Sequence, residues 1–401
     1  MREKEDHYEY IAVYVDDLLV FSRDSMKIIE TIRNEYDLKG VGAPEYYLGG
    51  DVDMMNSNPS TKEVDGTLEV DHDERDRHLD VKWLRHHVKT AFSARTYIKN
   101  TIQRLERMMG KEFSLEKSPM AEHLHPEIDD SPFLNEDDHH KYRSMIGCAN
   151  WLITLSILDI AYAVNAFARH NMAPRQGHLK GVIRIFGYLK KFWKARIIVD
   201  PNYPNHSNYP TPSYENWKEF YPDAQEHIPH KSEIPTPKGL PVRLTVFKDA
   251  DHTHDIVTRR SVTGILLMVN NTPVKWISKR QKTVETSTYG SELVAGKQAI
   301  ELILEYRYML MMMGMNLEKY ALLLGDNNSV VLNTTMPSSV LKKKHCVVSY
   351  HKIREAIAAG IVRFSHISSE NNYADILTKP LGPSKFMELV KPLLFCNPPK
   401  Y

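Results

Sequence analysis

The pattern of apolar and polar positions predicts strands at the beginning of the chain and helices after them. Two short aliphatic runs flank Asp16 and Asp17 between residues 8 and 22, which predicts a strand, a turn and a second strand. The polar stretch 51–87 predicts an irregular excursion or a hairpin tip. Apolar residues at three- and four-residue spacing predict helices at residues 26–36, 97–109, 141–169 and 178–192.

The second half of the chain has a different order of elements. Its pattern predicts three successive strands, at residues 242–247, 264–269 and 274–277. A long amphipathic helix follows at 287–313, and helices then alternate with strands at 320–324 and 361–366 before a closing helix from Asn372. Three strands followed by alternating helices and strands predict an α/β fold with a mixed sheet.

A change in composition separates the two halves. Nine prolines lie between Pro201 and Pro241, among Asn, Ser and Tyr residues and few aliphatic ones. Proline removes backbone donors and favours extended chain, so this stretch predicts a linker. The predicted division of the chain is therefore residues 1–110, a helical region 111–200, a linker 201–241 and an α/β domain 242–390.

Charge and hydropathy limit the possible partners. Lys plus Arg is 52 and Asp plus Glu is 51, so nucleic-acid binding requires local basic patches, not net charge. The first six residues carry no apolar signal segment. The most apolar window, 145–168, contains Asn150, Asp159 and Asn165, which predicts a buried core helix and no membrane span.

The cysteines and histidines predict no soft metal site. Cys148, Cys346 and Cys396 are far apart in sequence, so we expect neither a disulfide framework nor zinc binding, and we expect a reducing compartment. Most of the 19 histidines stand in polar runs and are expected on the solvated surface.

Four acids of the α/β domain stand at the ends of predicted elements. They are Asp249 after the first strand, Glu292 early in the long helix, Asp326 after the fourth strand and Asp375 at the start of the closing helix. If they converge, their repulsion requires cations, and oxygen-only ligands suit Mg²⁺ or Mn²⁺. Two such ions would serve phosphodiester hydrolysis. Taken singly, each acid is more commonly a turn former or a helix N-cap than a catalytic residue.

These acids stand within motifs that resemble the ribonuclease H domain of copia-type retrotransposons. The motifs are DAD (249–251), TRRSVTG (258–264), WISKRQKT (276–283), STYGSEL (287–293), GDNNS (325–329), KH (344–345), YH (350–351) and ADILTKPL (374–381). The resemblance implies a ribonuclease H-like mixed sheet with flanking helices, and hydrolysis of the RNA in RNA–DNA hybrids.

The resemblance also implies roles for single residues. Asp249, Glu292, Asp326 and Asp375 take the four metal-binding positions, and Asp251 is the weaker candidate because Asp249 is nearer the strand. The chain has Tyr289 where the family commonly has Glu, but the catalytic glutamate is the later one, Glu292. His366 corresponds to a mobile histidine that helps product leave, with an ordinary loop histidine as the alternative. These positions complete the expected catalytic set.

Two basic groups are candidates for holding the nucleic acid. The first surrounds Trp276, and both are expected to contact phosphates, with solvated charged faces as the alternative. Their members are Lys275, Lys279, Arg280 and Lys282 in the first group, and Lys342, Lys343, Lys344 and His345 in the second.

The first half of the chain resembles the reverse transcriptase of the same elements. The motifs are YVDD (14–17), YYLG (46–49), SARTYI (93–98), SPM (118–120), KYRSMIG (141–147), DIAYA (159–163), HLK (178–180) and YLK (188–190). The resemblance implies a truncated palm hairpin and thumb in 1–110 and a thumb and connection in 111–200, without fingers. Asp16 and Asp17 would be remnants of the polymerase metal site, and we expect the hairpin to be poorly ordered or irregularly docked.

The sequence thus predicts a fragment of a retrotransposon reverse transcriptase and ribonuclease H that uses Mg²⁺ or Mn²⁺, two ions per site. Its expected partners are an RNA–DNA hybrid and the rest of a polyprotein. Its expected location is a cytoplasmic virus-like particle or the nucleus. The alternatives are a catalytically dead relic that binds nucleic acid and a domesticated nuclease, and carboxylate convergence distinguishes the relic. Whether Met1 is the true start stays open.

Overall fold

A computed structural model gives the structure of the protein and describes residues 1–15, 17–56, 88–209 and 216–394. The chain begins with an antiparallel sheet in which β2 pairs with both β1 and β3. The bounds are β1 Arg2–Glu3, β2 Tyr8–Tyr14 and β3 Asp17–Phe21, followed by α1 Ser25–Arg33. The strand–turn–strand prediction agrees with β2 and β3, whose ends pair Tyr14 with Asp17, while Asp16 lies outside the described residues.

The N-terminal hairpin is regular and docks on the C-terminal half of the chain. The Tyr8 hydroxyl donates to the Thr236 carbonyl at 2.9 Å, and the Tyr10 hydroxyl donates to the Met313 carbonyl at 2.6 Å. The expected irregular docking is therefore wrong for the described residues, because two tyrosines anchor one side of β2.

A second antiparallel sheet and four helices form the middle of the chain. The strands, in sheet order, are β4 Tyr46–Tyr47, β5 Gly50–Asn56, β6 Val88–Ser93 and β7 Arg196–Ile198. The helices are α2 Arg95–Met109, α3 Glu136–Leu155, α4 Ala161–Ala168 and α5 Gln176–Lys191, with a short 3₁₀ helix at Pro126–Ile128. The stretch 51–87, predicted as an irregular excursion or a hairpin tip, begins as β5, which pairs antiparallel with β6. Residues 57–87 lie outside the described residues.

The helix predicted at 141–169 is broken. A 3₁₀ turn at Leu158–Ile160 separates α3 from α4 and puts Asp159 in the core, where it is 1% exposed. The Tyr188 hydroxyl donates a hydrogen bond to the Asp159 carboxylate, and burial raises the pKa of Asp159 to about 6. None of the helices in the described ranges combines the length and apolarity needed to cross a bilayer.

The C-terminal half has most of the regular structure. It contains α6 Trp217–Phe220, β8 Lys238–Val242, β9 Leu244–Asp251, β10 Val262–Val269, β11 Thr272–Arg280, α7 Thr288–Met312, β12 Met315–Leu317, β13 Ala321–Gly325, α8 Asn328–Thr335, α9 Val347–Ala358, β14 Val362–His366 and α10 Pro383–Leu394. Two 3₁₀ helices lie at Lys344–Cys346 and Tyr373–Leu377. The predicted closing helix from Asn372 is wrong in detail, since Asp375 lies in the 3₁₀ helix and α10 is separate.

Five strands form one mixed sheet in the order β11-β10-β9-β13-β14. The first three strands are an antiparallel meander, and β13 and β14 run parallel to β9. The mixed α/β content expected from the sequence is confirmed. The strand order also agrees with the expected sheet of three successive strands followed by two from alternating units.

Helices cover both faces of this sheet. On one face, apolar residues of β9 and β10 pack against α7 and α9. On the other face, Phe247, Leu266 and Leu324 share a continuous core with α3, α4, α5 and α10. The middle region of the chain therefore forms a layer of the C-terminal domain.

The proline-rich segment is docked, in contrast to the free linker that its composition predicts. Within its described part, Trp217 is buried and β8 pairs in parallel with β12. Arg307 of α7 donates two hydrogen bonds to Glu226, at 2.6 and 2.9 Å. Proline favours extended chain, but extended chain can still lie on a protein surface and be held by side chains.

Candidate active site

Sheet register brings the predicted acids to one edge. The parallel strands β13 and β9 pair Gly325 with Lys248, so the next residues, Asp326 and Asp249, lie side by side. Ser287 begins α7 with its hydroxyl accepting from the Gly290 N–H, and Glu292 lies in the second turn of that helix.

Three of the four acids converge. One carboxylate oxygen from each of Asp249, Glu292 and Asp326 lies within 4.8 Å of the other two. Asp249 and Glu292 are buried and Asp326 is partly exposed, so the group opens to solvent on one side. Three carboxylates this close repel one another unless positive charge lies among them, and their oxygens are the ligands that Mg²⁺ and Mn²⁺ prefer.

Asp375 joins the group through a lysine. The Lys379 ammonium lies 3.0 Å from one Asp375 oxygen and 3.6 Å from an Asp249 oxygen. The other Asp375 oxygen, Oδ1, is buried and has no hydrogen-bond partner among the described residues. Burial and the nearby Asp249 raise the pKa of Asp375 to about 7. An unpartnered buried carboxylate oxygen near Asp249 and Asp326 fits a divalent cation.

Two neighbours hold Asp249 and Lys379 in place. The Thr378 hydroxyl donates to Asp249 Oδ2 at 2.5 Å. Burial opposes the charge on Lys379, but Asp249 and Asp375 outweigh it and raise the pKa of the ammonium. Lys379 is therefore charged at neutral pH and balances part of the acidic group.

A second lysine, Lys248, which is not among the residues predicted from the sequence, lies beside Glu292. Lys248 is fully buried in β9, and its ammonium forms an ion pair with Glu292 Oε2. The second Glu292 oxygen accepts the Ala250 N–H at 3.3 Å. Burial raises the pKa of Glu292 to about 7, with Lys248 opposing the shift and Asp249 adding to it. The signal available in the sequence was a lysine within an otherwise apolar central strand.

Lys248 also explains a glycine. A Cβ at position 325 would lie 2.4 Å from Lys248 Cε and 3.3 Å from the Phe364 ring. The neighbouring strand must therefore lack a side chain at Gly325 for the lysine to reach Glu292.

His366 and Asp251 both lie near the acids without joining them. His366 ends β14, is exposed, and donates from Nε2 to the Asp326 carbonyl at 3.0 Å, while the Ser369 hydroxyl donates to the Asp326 carboxylate at 2.8 Å. The Asp251 carboxylate is hydrogen-bonded to His254 Nδ1 at 2.5 Å. This contact leaves Asp249 as the residue of β9 within the carboxylate group.

The first basic group is only partly available to a ligand. Lys275, Lys279 and Lys282 are exposed, but Arg280 is paired with Asp255 at 2.6 Å. The Trp276 ring donates to the Ile153 carbonyl at 3.2 Å and packs on the helical layer. Base stacking on Trp276 is therefore not supported by its packing.

The second basic group is also divided. Lys342 and Lys344 are exposed, whereas the Lys343 ammonium contacts the Ser287 hydroxyl at the start of α7. The His345 Nε2 lies 3.5 Å from a Glu285 oxygen. At the other end of the molecule, Asp17 is exposed at the first position of β3, and its neighbour Asp16 is outside the described residues.

Comparison with known proteins finds relatives along nearly the full chain, although no family model matches it. The chain is 24% identical over 377 residues to the Retrovirus-related Pol polyprotein from transposon RE1 of Arabidopsis thaliana, covering 94% of this chain and 21% of that protein. It is 24% identical over 400 residues to the corresponding polyprotein from transposon TNT 1-94 of Nicotiana tabacum, covering 98% and 25%. It is 20% identical over 391 residues to the Transposon Ty1-NL2 Gag-Pol polyprotein of Saccharomyces cerevisiae, covering 95% and 19%.

Two solved structures align with about a third of the chain. The N-terminal RNase H domain of a Mycobacterium tuberculosis protein, fused to maltose binding protein, is 13% identical with a TM-score of 0.27, covering 37% of this chain and 96% of that one. RNase H1 from Halobacterium salinarum is 14% identical with a TM-score of 0.26, covering 35% and 95%. The chain spans about a fifth to a quarter of the length of the polyproteins that it matches, and its homologues are retrovirus-related Pol polyproteins of copia-type transposons.

Proposed function

We propose that the C-terminal domain hydrolyses the RNA strand of RNA–DNA hybrids with Mg²⁺ or Mn²⁺. The observation that carries the proposal is the convergence of Asp249, Glu292 and Asp326, with the unpartnered Asp375 oxygen beside them. The polyprotein relatives and the motif series support the same activity.

The proposed roles follow from the positions of the side chains. Asp249, Glu292, Asp326 and Asp375 would hold the ions, which supply an activated water and stabilise the leaving oxygen. Lys379 keeps Asp249 and Asp375 close together by balancing their charge. His366 is exposed beside Asp326, where it can take part in proton transfer or product release at the open side of the site.

The substrate would be held through its phosphates. Lys342 and Lys344 are exposed on either side of Lys343, which contacts Ser287 at the start of α7. Lys275 and Lys279 are exposed on β11, and Lys282 is exposed just after it. Phosphate contacts of this kind position a duplex without reading its sequence. We therefore expect hybrid binding that depends on salt and shows little sequence preference.

The decisive test compares two carboxamide variants of the full chain. Asp326→Asn removes a proposed metal ligand and should abolish Mg²⁺-dependent cleavage of a hybrid while leaving hybrid binding nearly unchanged. Glu370→Gln removes an exposed carboxylate four residues after His366 and should keep full activity. Equal cleavage by wild type and Asp326→Asn would refute the assignment.

A second candidate function is a relic that binds nucleic acid without cutting it. The observation that favours it is the Lys248 ammonium, which takes a Glu292 oxygen that a metal ion would need. An inactive wild type that binds hybrid in a salt-dependent way would support the relic and exclude the nuclease.

For the first half of the chain we propose that it does not extend a primer on its own. Nucleotidyl transfer needs carboxylates from more than one strand, whereas the YVDD motif supplies Asp16 and Asp17 at adjacent positions of the chain. Template-directed synthesis that disappears in Asp16→Asn would contradict this proposal. Assembly with the rest of a polyprotein, and action in a cytoplasmic particle or the nucleus, stay predictions.

A further inference from the structure

A second cluster of potential metal ligands lies at the start of α7, apart from the four acids. Glu285 precedes the helix, and His345 and Cys346 belong to the 3₁₀ helix that leads into α9. One Glu285 oxygen lies 3.7 Å from the Cys346 sulfur and 3.5 Å from the His345 Nε2. All three potential ligand atoms lie within 4.8 Å of one another. The fold thus joins residues that are 61 positions apart in sequence.

These distances fit the edges of a tetrahedral zinc site. Zinc binds sulfur at about 2.3 Å, imidazole nitrogen at about 2.0–2.1 Å and carboxylate oxygen at about 2.0–2.2 Å. At tetrahedral angles these bond lengths separate sulfur from oxygen by about 3.6 Å and nitrogen from oxygen by about 3.4 Å. The two distances in this structure are each larger by only about 0.1 Å, and the third edge, from the Cys346 sulfur to a His345 nitrogen, lies within 4.8 Å.

Charge and burial also suit a divalent ion. A Cys346 thiolate and a Glu285 carboxylate together balance two positive charges, and His345 adds a neutral ligand. Glu285 and Cys346 are buried, while the His345 side chain is about half exposed. A fourth position can therefore be taken by water from the exposed side. Binding releases the thiol proton of Cys346 to solvent.

The ligand types separate this cluster from the proposed catalytic site. Thiolate and imidazole select ions such as Zn²⁺, whereas the four carboxylates offer only oxygen and suit Mg²⁺ or Mn²⁺. Lys343 is close enough to act on the Cys346 thiol, but its ammonium is held on the Ser287 hydroxyl. The lack of paired cysteines in the sequence predicted no zinc site, but that argument does not apply to one cysteine, one histidine and one glutamate brought together by packing.

We propose that Glu285, His345 and Cys346 bind one Zn²⁺ ion, with water as the fourth ligand. The ion ties the beginning of α7, the helix that carries Glu292, to the segment that carries Lys342 and Lys344. The ion would hold the substrate-binding lysines in place relative to the carboxylates, a role that rests on the proposed function.

The test uses Co²⁺ in place of Zn²⁺, because a thiolate ligand gives Co²⁺ a charge-transfer absorption that carboxylates cannot produce. The full wild-type chain, reduced and metal-free, should bind one equivalent of Co²⁺ with this absorption and lose it when one equivalent of Zn²⁺ is added. Cys346→Ser should lack the absorption. The matched control, Cys148→Ser combined with Cys396→Ser, should keep it.

His345→Gln guards against misfolding, since its side chain is half exposed and its replacement should not disturb the core. We expect this variant to bind Zn²⁺ at least about 10-fold more weakly than wild type, since changes beyond the ligand shell alone cost about 10–100-fold. Absence of the thiolate absorption in wild type at excess Co²⁺ would overturn the proposal. So would equal Zn²⁺ affinity in wild type and His345→Gln.

Discussion

Replacing Lys248 by Met tests whether a metal ion can take over the charge that the lysine supplies. The substitution keeps most of the side-chain volume but leaves Glu292 buried without its cation. Removing one partner of a buried ion pair costs about 3–5 kcal/mol. At about 2–4 °C per kcal/mol for a domain of this size, the melting temperature should fall by roughly 6–20 °C in EDTA.

Divalent ions should reverse this loss in the variant more than in wild type. Without Lys248, both the repulsion among Asp249, Glu292 and Asp326 and the open Glu292 oxygen favour an added cation. An ion present at 100 times its dissociation constant stabilises the folded state by about 2.7 kcal/mol. Mg²⁺ should therefore restore much of the melting temperature of Lys248→Met and shift that of wild type less.

The assay is thermal unfolding at pH 8, followed by circular dichroism, in EDTA and in excess MgCl₂. The matched control is Lys297→Met, because Lys297 of α7 forms a partly exposed ion pair with Glu301 of the same helix at 3.4 Å. Such a pair contributes about 0.3–0.5 kcal/mol, so the control should unfold close to wild type. A Lys248→Met chain that melts within about 2 °C of wild type in EDTA, or equal Mg²⁺ shifts in both proteins, would refute the reasoning.

Three further predictions concern other parts of the molecule. Gly325→Ala should lower the melting temperature and hybrid cleavage together, because its Cβ would displace the buried Lys248 stem; unchanged values would show that the strand can shift. Burial lowers the pKa of His170 to about 4, so the unfolded chain takes up a proton here at a higher pH than the folded chain. The free energy of unfolding should therefore fall as the pH is lowered from 6.5 toward 4, and His170→Asn should reduce this fall when unfolding is followed in urea. Replacing Lys342 and Lys344 by Ala should flatten the slope of log affinity for hybrid against log salt by roughly 0.7–0.9 per contact, and an unchanged slope would mean that neither touches phosphate.

Local patterns allowed much of the fold to be predicted. Runs such as the one before Asp249 are apolar and β-branched, and α7 has a long apolar face, so their element types follow from composition and periodicity. The carboxylate group could be predicted because Asp249 and Asp326 stand at the ends of strands and Glu292 near the start of a helix. The ends of neighbouring parallel strands lie at the same edge of a sheet, so adjacent placement of β9 and β13 brings Asp249 and Asp326 together.

The features that were missed depend on packing between distant segments. Nothing near Lys248 in sequence indicates that Glu292 will lie beside it, and nothing near Cys346 indicates Glu285. The helix break at Leu158–Ile160 places Asp159 in the core, where it accepts a hydrogen bond from Tyr188, a residue 29 positions later in the chain. The proline content predicts extended chain before β8. It cannot predict the surface on which that chain docks.

The position of Asp375 and Lys379 near the end of the described chain has a consequence for the order of assembly during synthesis. At about 5–20 residues per second, the ribosome needs roughly 6–25 s to go from Asp249 to Asp375. Three helices of the layer that packs on the sheet, α3, α4 and α5, are already made by then, because they precede the proline-rich segment, whereas α10 follows Asp375. During this interval Asp249 lacks Lys379, which later bridges it to Asp375, whereas Glu292 already has Lys248. The acidic cluster is therefore completed only after the last 3₁₀ helix has been made.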